Sequence, residues 1–160
     1  MSSEKDTPLE PLLGALLRFS WQSLRSRLLT ALQEAGYEDL NEAHLNVFQY
    51  PPPSGTRPID LAQRASMTRQ AMNYLLAQLE SAGYLERRAE TPGKASLVYM
   101  TKKGLGVGTL LRAEVRRVEG EWAATLGGQR FDDLVASLRL IAGVAPGSPS
   151  PLSSKVSHRS

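Results

Sequence analysis

Apolar residues return at three- and four-residue steps through the N-terminal part of the chain: Leu9, Leu12, Leu13, Leu16, Leu17, Trp21, Leu24, Leu28 and Leu32. That spacing places them on one face of a helix. The pattern predicts a single helix from Pro8 to about Glu34, closed by Gly36, with Ser20, Gln22, Ser23, Arg25 and Arg27 filling much of the other side. A stripe this long exceeds what one small core covers, so part of it is expected to meet a second subunit.

A second helix is predicted to start at Asn41, a good N-cap followed by Glu42, with Ala43, Leu45, Val47 and Phe48 on its apolar side. The run Pro51-Pro52-Pro53, with Ser54-Gly55 after it, must end that helix. Pro58 then suits a first helical position, and Ile59, Leu61, Ala62 and Ala65 form a short third helix. After a tight connection at Ser66-Met67, Thr68 caps a fourth helix running to about Ala82. Its buried face is Ala71, Met72, Leu75, Leu76 and Leu79, and Gly83 ends it.

The period then changes. Tyr84-Leu85-Glu86-Arg87-Arg88 and Leu97-Val98-Tyr99-Met100 have strand character, and Thr91, Pro92, Gly93 and Lys94 make the turn between them. Helical spacing returns after Thr101 with Val107, Leu111, Val115, Val118 and Trp122. A sixth, shorter helix follows Gly127-Gly128 with Phe131, Leu134, Val135, Leu138 and Ile141. From Ala145 onward Pro, Ser and Gly dominate, so a disordered tail over 145–160 and a flexible N-terminus over 1–7 are expected. The fold class is therefore mainly α with a small β-hairpin. Helix, short turn, helix and hairpin in this order make a winged helix-turn-helix.

Composition narrows the function. With no cysteine, disulfides, thiolate metal sites and thiol redox sensing fall away, and two histidines (His44 and His158) leave a zinc site or a catalytic triad short of parts. No metal, cofactor or enzymatic role is expected. The neighbouring acids Asp132-Asp133 read as a helix-start cap, since adjacent helical positions do not converge on one substrate. Arg18, Arg25 and Arg27 interrupt the richest apolar stretch, and the acidic, proline-containing start does not resemble a signal peptide. A cytoplasmic protein without a membrane partner is expected. The net charge of +3 says little by itself, but its distribution says more. Between Arg57 and Lys103 eight basic residues face four acidic ones, a balance of +4, while the rest of the chain carries −1. Positive charge collected in one segment suits a module that meets phosphates.

Within that segment the residue types fit base reading. A helix fits the major groove, and the first turn of the second helix of such a pair reaches the base edges. Here that turn is Thr68-Arg69-Gln70, with Asn73-Tyr74 one turn later. Arginine can bond guanine through two contacts, and glutamine or asparagine can do so to adenine, while Thr68 and the helix N-terminus favour a phosphate. Lys94 at the hairpin tip, Arg57 and Arg88 complete the candidate DNA-contacting set. Arg87 and Arg88 face opposite sides of their strand, so one is expected to point toward DNA and the other to pair with an acid. The competing reading is a winged-helix module that docks on protein without specific DNA binding.

The stretch RPIDLAQRASMTRQAMNYLLAQLESAGYLERR, followed after a turn by LVYMTKKG, resembles the multiple antibiotic resistance regulator (MarR) family. The resemblance covers about 15–143 and is strongest over 57–104. It implies one domain over 8–144, with a DNA-binding lobe at about 40–101 and dimerisation helices at about 8–36 and 102–143. It also implies a homodimer that binds a palindromic double-stranded operator and represses a nearby operon until a small organic effector binds between the two lobes. Leu12, Leu16, Val115, Trp122, Leu134 and Leu138 are the candidate dimerisation residues, and Trp21, His44, Phe48 and Tyr50 the candidate ligand pocket. One departure lies in the wing. The family's acid-rich turn is replaced by Glu90-Thr91-Pro92-Gly93-Lys94-Ala95, about one residue shorter, with Lys94 where the family has an arginine. Lysine keeps the charge but loses the planar fork, so phosphate attraction is expected there rather than base reading.

Overall fold

The computed structural model describes residues 10–48 and 52–144. The expected flexible N-terminus, the expected disordered tail and the pocket candidate Tyr50 lie outside the described residues. The chain folds as a winged helix-turn-helix lobe joined to three long helices. Helix α1 (Leu13–Glu34) leads through a short 3-10 turn (Glu42–Asn46) to strand β1 (Ser54–Thr56), helices α2 (Pro58–Arg64) and α3 (Arg69–Ser81) and strands β2 (Leu85–Arg88) and β3 (Leu97–Met100). Helices α4 (Lys102–Leu126) and α5 (Gly128–Ala142) complete it.

Four boundaries differ from the sequence expectations, each for a local reason. Helix α1 begins at Leu13 rather than Pro8: Pro11 disfavours helical backbone before it, and Leu12 is extended (ψ 162°) with its carbonyl taking the first helical bonds. The segment after Asn41 is a five-residue 3-10 turn, not an α-helix. Asn41 still caps it, accepting from the Ala43 and His44 amides. Ser54-Gly55, read only as the end of the second helix, lies in strand β1, at the edge of a sheet ordered β1-β3-β2. Asp132 and Asp133 do not cap α5, which starts at Gly128; Asp133 instead accepts a bond from Gln129 one turn earlier.

One core joins the two parts of the molecule. Leu32, Val47, Met72, Leu76, Leu79, Tyr84, Leu85, Val98 and Val107 are fully enclosed, drawn from α1, α3, the sheet and α4. In the turn between α2 and α3, Ser66 takes a left-handed conformation (φ 52°), which lets the chain reverse within three residues. Helix α4 approaches the α3–β2 connection so closely that a Cβ on Gly104 would fall on the Tyr84 carbonyl oxygen and 2.9 Å from Met100 Sδ. Above the core, Arg27 of α1 reaches Glu114 (3.2 Å) and Glu121 (2.9 Å) of α4, and Arg117 bonds Glu114 at 2.8 Å. Helix α5 packs on α4 and has no buried residue of its own.

Two outcomes follow from this packing. Gly104→Ala is expected to lower stability by about 1–3 kcal/mol, because backbone rather than a flexible side chain blocks the added methyl; an unchanged urea midpoint would contradict the close approach. The Glu114 carboxyl is held below its ordinary value of 4.5, first by its hydrogen bond from Arg117 and then by the charges of Arg117 and Arg27 against the opposing effect of burial. A lowered carboxyl contributes stability above its unfolded value and loses it as pH falls through the folded one. Thermal midpoints should therefore drop on acidification below about 4.5, and Glu114→Gln should lower the neutral-pH midpoint while flattening that acid limb.

Candidate nucleic-acid interface

Helix α3 has two distinct sides. Met72, Leu75, Leu76 and Leu79 are buried in the core, while Arg69, Gln70 and Tyr74 are exposed and Asn73 is half-buried. The Thr68 hydroxyl accepts the Ala71 amide at 3.1 Å, which caps the helix. The structure thus brings Thr68, Arg69, Gln70, Asn73 and Tyr74 together along one outward face at the N-terminal half of a helix. Such a face can present hydrogen-bonding side chains to base edges.

The wing adds a second charged element. Strands β2 and β3 pair in register, Glu86 opposite Tyr99 and Arg88 opposite Leu97, so Glu86, Arg88 and Tyr99 share the outer face. Arg88 lies 4.7 Å from the Tyr99 ring centre and forms an ion pair with Glu86. Arg87, on the inner face, reaches Glu80 of α3 at 3.0 Å. Both arginines are therefore acid-paired, where the sequence reading expected only one to be. Lys94 is exposed at the tip, its amide closing a turn onto Thr91 at 3.1 Å. Arg57 precedes α2 and grips Asp60 with two bonds of 2.8 Å.

Away from this face, a cavity of about 250 Å³ opens between α1, the 3-10 turn and α4. Trp21 and Phe48 line it as expected, joined by Arg25, Asn46, Leu111 and Arg112. His44 does not line it. It is buried on the far side of the turn, where Nδ1 accepts the Asn41 amide (3.1 Å) and Nε2 meets Gln78 Oε1 of α3 (3.1 Å). That pattern fixes the ring proton on Nε2. Sequence reasoning missed Arg25, assigning it to the solvent side of α1. Its guanidinium donates to the Glu42 carbonyl (2.7 Å), the Glu42 carboxylate (2.9 Å) and Asn46 Oδ1 (3.2 Å), and lies 5.4 Å from the Trp21 ring centre. The four-residue step from Trp21 to Arg25 was the available signal.

No family model and no curated protein sequence matches the chain. Solved structures do. A MarR-family protein of Mycobacterium tuberculosis in complex with salicylic acid is 27% identical, with 84% of this chain and 99% of that one covered at a TM-score of 0.63. The same M. tuberculosis protein in complex with DNA matches at 26% identity over 87% of this chain and 100% of that one, TM-score 0.59. A MarR transcriptional regulator of Methanosarcina mazei shares the fold at TM-score 0.68 with 11% identity, over 81% of this chain and 86% of that one.

The chain carries the MarR-family fold. In this fold α3 is the second helix of the helix-turn-helix and the β2–β3 hairpin is the wing. The described residues contain no helix long and apolar enough to cross a membrane and no group of three or more His, Cys, Asp or Glu side chains placed to hold a metal. Thr68→Ala should cost about 1 kcal/mol of stability through loss of the cap. Thr68→Ser, which keeps the hydroxyl, should restore it; equal midpoints for all three proteins would remove the capping role.

Proposed function

We propose that the chain is a sequence-specific, double-stranded DNA-binding transcriptional repressor that acts as a homodimer and is relieved by a small organic ligand. The observation that carries this reading is the outward polar face of exposed Arg69 and Gln70 with half-buried Asn73, on a capped helix that is the second of the helix-turn-helix. Arg69, Gln70 and Asn73 select base pairs; Thr68, Tyr74, Lys94, Arg57 and Arg88 position the duplex through its phosphates. No catalytic step belongs to this reading, and its place is the cytoplasm, with the DNA.

Dimerisation is supported by apolar surface that one subunit leaves uncovered. Leu12, Leu13, Leu16, Leu17 and Phe19 at the start of α1, and Leu134, Leu138, Leu140 and Ile141 on α5, are all exposed. Val115 and Trp122 of α4 are half-buried. Two bands of this kind are more than a monomer carries without a partner. The cavity suits a small aromatic acid, with Trp21 and Phe48 for a ring and Arg25 for an anion. The 3-10 turn forms one cavity wall through Asn46 and holds Gln78 of α3 through His44. A ligand that draws Arg25 away from Glu42 loosens the turn that braces the recognition helix.

The deciding experiment is selection of bound sequences from random duplex DNA. A two-fold symmetric motif with half-sites about one helical turn apart is expected. Arg69→Ala and Gln70→Ala should each lose about 1–3 kcal/mol of discrimination at particular base pairs. Lys94→Ala should weaken binding to all sequences alike. Recovery of no motif, or a monomer by light scattering at micromolar concentration, would contradict the reading.

A further inference from the structure

The cations of the DNA-facing lobe fall into two groups by what already holds them. Arg64, Arg69 and Lys94 make no ion pair among the described residues, whereas Arg57, Arg87 and Arg88 each hold an acid. The three pairs are not equivalent. In the Arg87–Glu80 pair the arginine is the covered partner, with 25% of its side chain exposed against 41% for the acid. The Arg87 amide also donates to Glu80 (3.2 Å), so this pair ties strand β2 to α3. In the other two the order reverses. Arg57 is 56% exposed with Asp60 at 29%, and Arg88 is 60% exposed with Glu86 at 45%. Each guanidinium faces solvent with its carboxylate beside it.

The chemistry of these two pairs is that of an arginine on phosphate. Asp60 engages Arg57 through two parallel bonds, the fork geometry that a phosphate also uses. Glu86 and the Tyr99 ring together hold Arg88 flat on the outer face of the wing. A duplex arriving at either arginine must displace a carboxylate and leave it beside the phosphate chain, where like charges repel. That cost is the same at every sequence, because phosphates are everywhere along DNA.

We propose that Glu86 and Asp60 act as built-in stand-ins for DNA phosphate and so hold down the sequence-independent part of the affinity for DNA. The proposal rests on the DNA-binding reading above. Arg69 and Lys94 are left to meet the duplex directly, whereas Arg88 and Arg57 reach a phosphate only by giving up a carboxylate. The device lowers affinity at every sequence alike, and preference for the operator comes from Arg69, Gln70 and Asn73.

The test uses the full-length chain and a fluorescently labelled duplex of random sequence, titrated over a range of salt. Glu86→Gln should bind about two- to fivefold tighter than the unaltered protein, the range that an exposed ion pair supplies. Its plot of log affinity against log salt should steepen by about 0.9, one further phosphate contact. Glu90→Gln, which removes an exposed wing acid that is in no ion pair among the described residues, controls for net charge and should gain less. The gain must also vanish when Arg88→Ala is combined with Glu86→Gln. A gain no larger than that of Glu90→Gln, or one that survives Arg88→Ala, overturns the proposal. Failure of the unaltered protein to bind any duplex at low salt overturns the DNA-binding reading as well.

Discussion

The burial of Tyr84 is the constraint on which the other parts depend. It is fully enclosed at the point where α3 ends, β2 begins and α4 starts. Its amide bonds Leu79 of α3 (2.9 Å), its carbonyl accepts the Thr101 amide (3.1 Å), and Gly104 leaves room for that carbonyl. The ring meets Phe48 edge-on at 6.0 Å and Tyr37 at 6.1 Å, with Lys103 Nζ 4.0 Å from its centre. The phenol would be costly to bury alone, and it donates to Asp39 at 2.6 Å. Burial first, and then the Asp39 carboxylate, push its pKa well up, so it stays a neutral donor. One side chain thereby ties α3, the wing and the first turn of α4 to each other.

Much of this arrangement was legible in the sequence because it follows from local rules. The caps at Asn41, Thr68 and Thr101, the periodic face of α3 and the change to strand at Tyr84 each announce themselves within a few residues. The hidden parts depend on pairing across the chain. Strand β1 is three residues long and carries a glycine; it is a strand because β3 offers it an edge, and no alternation marks it. Arg25 and Glu42 lie 17 residues apart, and His44 and Gln78 lie 34 apart, so neither contact has a sequence signature. His44 was placed among the pocket candidates because it lies in the segment where the first two predicted helices approach the winged lobe, but a five-residue 3-10 turn directs it the other way, onto α3.

The two halves of the molecule treat charge and apolar surface in opposite ways. The winged lobe covers its apolar residues and displays cations, some of them already engaged by acids. The long helices place their ion pairs across the α1–α4 seam, where Arg27 and Glu114 meet, and leave leucines exposed at the start of α1 and along α5. Displayed cations and exposed leucines are thus kept on separate surfaces.

Helix α4 links these surfaces, and its composition is uneven. Its 25 residues extend about 37 Å, yet Gly104, Gly106 and Gly108 all fall within its first two turns. Each glycine costs a helix about 1 kcal/mol relative to alanine, so this end keeps its shape through packing under Tyr84 more than through its own preference. Gly108 also borders the cavity. The helix is in effect a lever with a soft fulcrum: a tilt of about five degrees at the glycine end sweeps the far end by about 3 Å. In the homodimer proposed above, with the far ends of the two α4 helices held together, that sweep would instead be felt at the two α3 helices and would change their separation, while the pitch of a duplex stays fixed.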